Sequence, residues 1–61
     1  MYIPQNAEIL LSVINTLLRD KYSSIYDLCD YEDVDFNLVN FKLESIGYFY
    51  NEKTNSYILK D

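Results

Sequence analysis

Between Ala7 and Lys21, apolar residues recur with a helical period over a broad face. At about 100° per residue, Ile9, Leu10, Leu11, Val13, Ile14, Leu17 and Leu18 sweep an arc of roughly 200°. Glu8, Ser12, Asn15, Thr16 and Arg19 take the opposite side. So wide a stripe must be covered from two sides, which makes this the central helix of whatever core the chain forms. Asn6 suits its N-cap, and Glu8 sits favourably against the helix dipole.

Ser24-Ile25-Tyr26-Asp27 has the form of a capping box, with Asp in place of Glu or Gln. It predicts a short second helix running to about Tyr31, with Ile25, Leu28 and Cys29 facing inward. Asp35 caps a third helix, predicted over Phe36–Ile46, and Val34 and Val39 form a hydrophobic staple around the cap. Phe36, Val39, Leu43 and Ile46 make its inward stripe, and Gly47 falls where a helix end favours a left-handed residue. Glu32-Asp33-Val34 is then a tight turn. Two β-prone runs follow, Tyr48–Asn51 and Tyr57–Lys60, joined by a segment in which Asn55 tolerates positive φ. A lone hairpin is marginal in water, so this one must lie on the helices. The fold class is mainly α within α+β: a three-helix, helix-turn-helix-like core with a C-terminal β-hairpin, winged-helix-like in outline.

At 61 residues the chain is one domain, residues 1–61. A chain this short buries only about 60% of its unfolded surface. A hydrophobic fraction of 49% supplies the dense core it needs. One cysteine excludes an intrachain disulfide and fits a reducing compartment. Met1-Tyr2-Ile3-Pro4 has neither a basic start nor a long apolar run, so the expected location is the cytoplasm. A net charge of −5 works against binding to phosphate backbones.

Ile3-Pro4, Leu10-Leu11-Ser12, Asn15, Leu18-Arg19-Asp20, Tyr22-Ser23-Ser24, Leu28-Cys29, Leu43, Ile46-Gly47-Tyr48, Tyr50-Asn51 and Asn55 together resemble a family of short bacterial proteins. It is catalogued as domain of unknown function 4250. The likeness runs over nearly the whole chain. Family members often carry Asp-Pro where this chain has Asn6-Ala7, and Leu where it has Ile25. The resemblance implies a small cytoplasmic bacterial protein and no particular activity.

The acidic segment from Asp27 to Asp35 raises the question of chemistry. Asp33, Asp35, Asn37 and Glu44 match ligand positions of an EF-hand calcium loop, but Leu38 stands where that loop needs glycine. The helical stripe also places Asp35 and Glu44 about 13 Å apart along the axis. No metal site is expected, and zinc is further disfavoured by the lack of histidine. No nucleophile–base set and no glycine-rich phosphate loop occurs, so neither enzymatic activity nor a cofactor is expected. Cys29 reads as a small buried apolar residue rather than a reactive thiol. In a DNA-binding helix-turn-helix the third helix would enter the major groove, presenting Asn37, Asn40 and Glu44. Only Lys42 on that helix could meet a phosphate, and in the hairpin Lys53 and Lys60 are partly offset by Glu52 and Asp61.

Leu38 and Phe41 lie off the core stripe of the third helix. They either pack under the hairpin or the N-terminal arm, or form an exposed apolar strip for a partner or a second copy of the chain. Seven tyrosines cannot all be interior, and tyrosine is common at interfaces. Arg19 either pairs with Asp20, Asp27 or another nearby acid, or recognises a partner carboxylate. The residues expected to meet a partner are Leu38, Phe41, Tyr26, Tyr31, Arg19, Asp30 and Asp33. Sequence alone therefore points to a non-catalytic protein-interaction or regulatory module. A protein partner or self-association is expected, with no membrane and no strong case for nucleic acid. The alternatives are a winged helix-turn-helix DNA-binding protein and an acidic decoy that occupies a nucleic-acid-binding surface elsewhere.

Overall fold

The computed structural model describes residues 1–60; Asp61, which the sequence sets against Lys60, lies outside them. Three helices, α1 (Ala7–Asp20), α2 (Ile25–Glu32) and α3 (Phe36–Glu44), are followed by strands β1 (Tyr48–Asn51) and β2 (Ser56–Leu59). The strands form an antiparallel hairpin with Tyr48 opposite Leu59 and Tyr50 opposite Tyr57.

Each helix begins at a residue whose side chain caps it. Asn6 Oδ1 accepts from the amides of Glu8 and Ile9 at 2.8 and 3.1 Å. Ser24 Oγ accepts from Asp27 N, and Asp35 Oδ1 from Asn37 N at 2.9 Å. These bonds satisfy amides that have no intrahelical partner. The capping box at Ser24 is not reciprocal, because the Asp27 carboxylate takes the Ser23 hydroxyl instead, at 2.7 Å.

The third helix ends earlier than its apolar spacing predicts. After Glu44 the chain tightens: Ile46 N bonds Leu43 O and Gly47 N bonds Glu44 O, each three residues back. Gly47, at φ +87°, then turns the backbone into β1. At the loop of the hairpin, Asn51 Oδ1 accepts from Lys53 N and Thr54 N, and Asn55 takes φ +51°.

The core comprises Leu10, Ile14 and Leu18 of α1, Ile25, Leu28 and Cys29 of α2, Val39 and Leu43 of α3, and Tyr57 of β2. α1 is covered by β2 as well as by α2 and α3. Its buried stripe is narrower than the apolar arc. Leu11 and Leu17 pack at the margin of the core, and Ile9 is 56% exposed. Val34 and Phe36 also pack against this core, which seats the α2–α3 turn.

Candidate functional site

The acidic segment divides by position on α2 and α3. Asp27 lies in the first turn of α2, and Asp35 caps α3, so both carboxylates sit where the helix dipole favours them. Asp30, Glu32 and Asp33 lie at the other end of α2, where the dipole opposes negative charge, and the last turn of α2 has no basic residue. Asp33 is itself left-handed, at φ 57° and ψ 51°, and its amide closes the helix on Cys29 O.

Three groups from elsewhere attend to this end. The N-terminal ammonium of Met1 donates to Glu32 O at 2.9 Å, and Lys21 Nζ lies 4.0 Å from Glu32 Oε2. Tyr22 donates its hydroxyl to the Glu32 carboxylate. That bond, with some desolvation, pushes the Tyr22 hydroxyl up to about 12. Asp30 and Asp33 remain exposed.

An open groove of about 550 Å³ runs beside them, lined by Lys21, Tyr22, Ser23, Asp27, Asp30 and Tyr31. Its aromatic wall is Tyr22 and Tyr31, with ring centroids 6.0 Å apart, and Tyr31 is 81% exposed. Tyr26 emerges on the other flank of α2, against Phe36 at 5.1 Å and Tyr50 at 6.2 Å. On α3, Phe41 is 72% exposed and Leu38 43%, so neither is covered by the hairpin or the N-terminal arm. The structure thus groups Asp30 and Tyr31 in one groove. Tyr26, Asp33, Leu38 and Phe41 are exposed elsewhere on α2, its C-terminal end and α3.

Arg19 stands apart, beside a second groove between α1 and the hairpin loop. Its guanidinium forms a two-pronged, largely exposed pair with Asp20 at 2.8 and 2.9 Å, which raises its affinity for its proton. Cys29 is buried, and burial together with the Asp35 charge pushes its thiol pKa up, away from reactivity.

Residues Phe36–Glu44 form a helix, so the EF-hand-like spacing does not fold into a cation-wrapping loop. No three His, Cys, Asp or Glu side chains among the described residues converge on a point that could hold a metal ion. Asn40 does not reach outward as the major-groove reading requires. Its Oδ1 accepts from the buried Tyr57 hydroxyl at 3.0 Å and its Nδ2 donates to Glu44 at 2.9 Å. Lys42 is turned to Gln5 O.

The helical wheel also misplaced Asn15, which it put among solvent-facing polar residues. Its carboxamide is half-buried and grips the backbone of Tyr57: Nδ2 donates to Tyr57 O at 3.0 Å, and Tyr57 N donates to Oδ1 at 2.8 Å. Asn55 makes the matching contact at the end of α1. Its Nδ2 donates to Leu18 O and Tyr22 O, and its Oδ1 accepts from the Tyr50 hydroxyl at 2.7 Å. These two asparagines fasten the hairpin to α1.

A helix-turn-helix of α2 and α3, set on a long first helix and closed by a two-stranded hairpin, defines a small α+β domain of winged-helix outline. The chain belongs to the family described as Domain of unknown function (DUF4250), whose model matches residues 4–57. No curated protein and no solved structure matches it. Among the described residues, no helix is long and apolar enough to cross a membrane.

Proposed function

We propose that this domain is a non-catalytic protein-interaction module, acting in a bacterial cytoplasm, that docks a basic segment of another protein. The observation that carries the reading is the pair of exposed carboxylates, Asp30 and Asp33, at the C-terminal end of α2. Neither has a hydrogen-bond or ion-pair partner among the described residues, whereas Glu32 is engaged by Tyr22 and Lys21. Each charge there opposes the helix dipole, at a cost of about 0.3–1 kcal/mol. A chain of 61 residues has little stability to spare, so folding alone does not account for them. A cationic partner would. Tyr31 and Tyr26 offer rigid contact area beside the acids, and Leu38 and Phe41 add an apolar strip on α3.

The element order also suits a winged-helix DNA-binding protein, the competing reading. Against it stand the engagement of Asn40 with Tyr57 and the single cation on α3. The test is affinity capture from a bacterial cytoplasmic extract with the wild-type chain, Asp30→Lys and Phe41→Ser. The expected result is a protein with a basic segment, retained by wild type, released by salt and reduced on both variants. Retention of nucleic acid in place of protein, or identical capture by all three chains, contradicts the proposal.

A further inference from the structure

The two edges of the hairpin are treated differently. Lys60 N donates to Gly47 O at 3.0 Å, which fixes the bonded pairs as Gly47/Lys60, Phe49/Ile58 and Asn51/Ser56. The backbone groups of Tyr57 therefore point away from β1, and there the Asn15 carboxamide bonds both, standing in for a third strand. By the same alternation, the N–H and C=O of Tyr48 and Tyr50 point away from β2, and no described residue bonds them. Exposed edges are ordinarily blunted by charge, proline, a bulge, a covering helix or loop, or by keeping the strand very short, and of these β1 has its length of four residues. β1 is Tyr48-Phe49-Tyr50-Asn51, with no charge and no proline, and it pairs with β2 in unbroken register.

We propose that β1 is the interface of a homodimer in which two hairpins join, antiparallel across a two-fold axis, into one four-stranded sheet. The edge is complementary to itself. With Phe49 on the axis, Tyr48 faces the partner's Tyr50 and Tyr50 faces the partner's Tyr48, each pair exchanging two backbone hydrogen bonds. Phe49 then meets the partner's Phe49 at a non-hydrogen-bonded position, where side chains come closest. Within the hairpin Phe49 is already opposite Ile58, which is 42% exposed. Pairing therefore creates an unbroken apolar row of Ile58, Phe49 and their two counterparts. Lys60 lies over the Phe49 ring at 5.2 Å, at the border of this row. The acidic end of α2 takes no part, so the interface stands or falls independently of the proposed basic partner.

A four-residue strand gives a small contact of the weak, reversible class. Each subunit carries a net charge of −5, so added salt tightens this dimer, whereas it loosens a basic partner from α2. The experiment is sedimentation velocity on the full chain from about 10 µM to about 1 mM, the range that weak interfaces occupy. Phe49→Lys is run beside wild type, with circular dichroism as the check of fold and amide hydrogen exchange on wild type as the second readout. Wild type is expected to dimerise as concentration rises, with exchange slowing at Tyr48 and Tyr50. Phe49→Lys opposes like charges across the axis and weakens association by about tenfold or more. A wild-type chain that stays monomeric at about 1 mM overturns the proposal. So does a dimer in which Tyr48 and Tyr50 exchange is unchanged, or one that a folded Phe49→Lys leaves intact. Should Phe49→Lys unfold, the wild-type exchange data decide.

Discussion

Replacing Asn15 with Ala removes the carboxamide that hydrogen-bonds the middle of α1 to the backbone of Tyr57 in β2. Tyr57, the residue it holds, is 2% exposed, so water reaches its backbone only through the space that Asn15 vacates beside the α1–hairpin groove. Two hydrogen bonds vanish, and a buried N–H and C=O are left bare. At about 1 kcal/mol per bond, plus the desolvation left uncompensated, the loss is about 2–4 kcal/mol. A domain of 61 residues has a total stability of about 3–9 kcal/mol, so Asn15→Ala removes a large share of it. The melting temperature should fall by about 8–30 °C. Urea unfolding followed by circular dichroism measures this directly, with Thr16→Ala as the exposed neighbour control. Asn15→Asp sharpens the test. An ionised carboxylate still accepts from Tyr57 N–H but repels Tyr57 C=O, and its protonated form can donate to that carbonyl. The folded-state pKa of the new carboxyl is therefore raised. Relative to wild type, the variant gains stability as pH falls through the carboxyl range and loses it as pH rises. A loss below about 0.5 kcal/mol for Asn15→Ala would refute the strand-mimic role, since surface substitutions lie within that range.

Other consequences are equally open to measurement. Asn55→Gly keeps the positive φ but deletes the bonds to Leu18 O, Tyr22 O and the Tyr50 hydroxyl, so it should cost about 2 kcal/mol or more in urea unfolding. Asp30→Lys should raise stability by about 0.3–1 kcal/mol while weakening capture of a basic partner, a divergence that thermal melts and binding assays on one sample can show. The Tyr22 hydroxyl, at about 12 when folded against an ordinary 10.0, favours the folded state below pH 10. That contribution is lost as pH rises towards 12, and Tyr57, raised mainly by burial, acts in the same direction. Tyr22→Phe should flatten the alkaline arm of the stability–pH profile, read by phenolate absorbance and unfolding together.

Local chemistry explains which features could be read along the chain. Asn6, Ser24 and Asp35 cap amides two or three residues away, so their roles are written within one turn of helix. Gly47 and Asn55 likewise follow from the backbone angles their turns require. Asn15 and Asn40 were illegible because a helical wheel gives a direction without saying what lies in it. Their partner, Tyr57, is 42 and 17 residues further on. Ile9 fell within the apolar arc yet is exposed, since α2, α3 and β2 cover only the stripe through Leu10, Ile14 and Leu18. At the candidate surface, position on α3 left Leu38 and Phe41 undecided between a packed and an open state. Tertiary structure resolves this as open. Asp30 and Asp33 oppose the dipole of α2, Asp30 from within its last turn and Asp33 as its left-handed C-cap.

The most direct test of the functional account is amide chemical-shift mapping of the isotopically labelled chain against the protein recovered by wild type. The account predicts perturbations at Tyr26, Asp30, Tyr31, Asp33, Leu38 and Phe41 that diminish as salt is raised. Perturbations confined to Asn37, Lys42 and the hairpin loop, produced by duplex DNA, would contradict it.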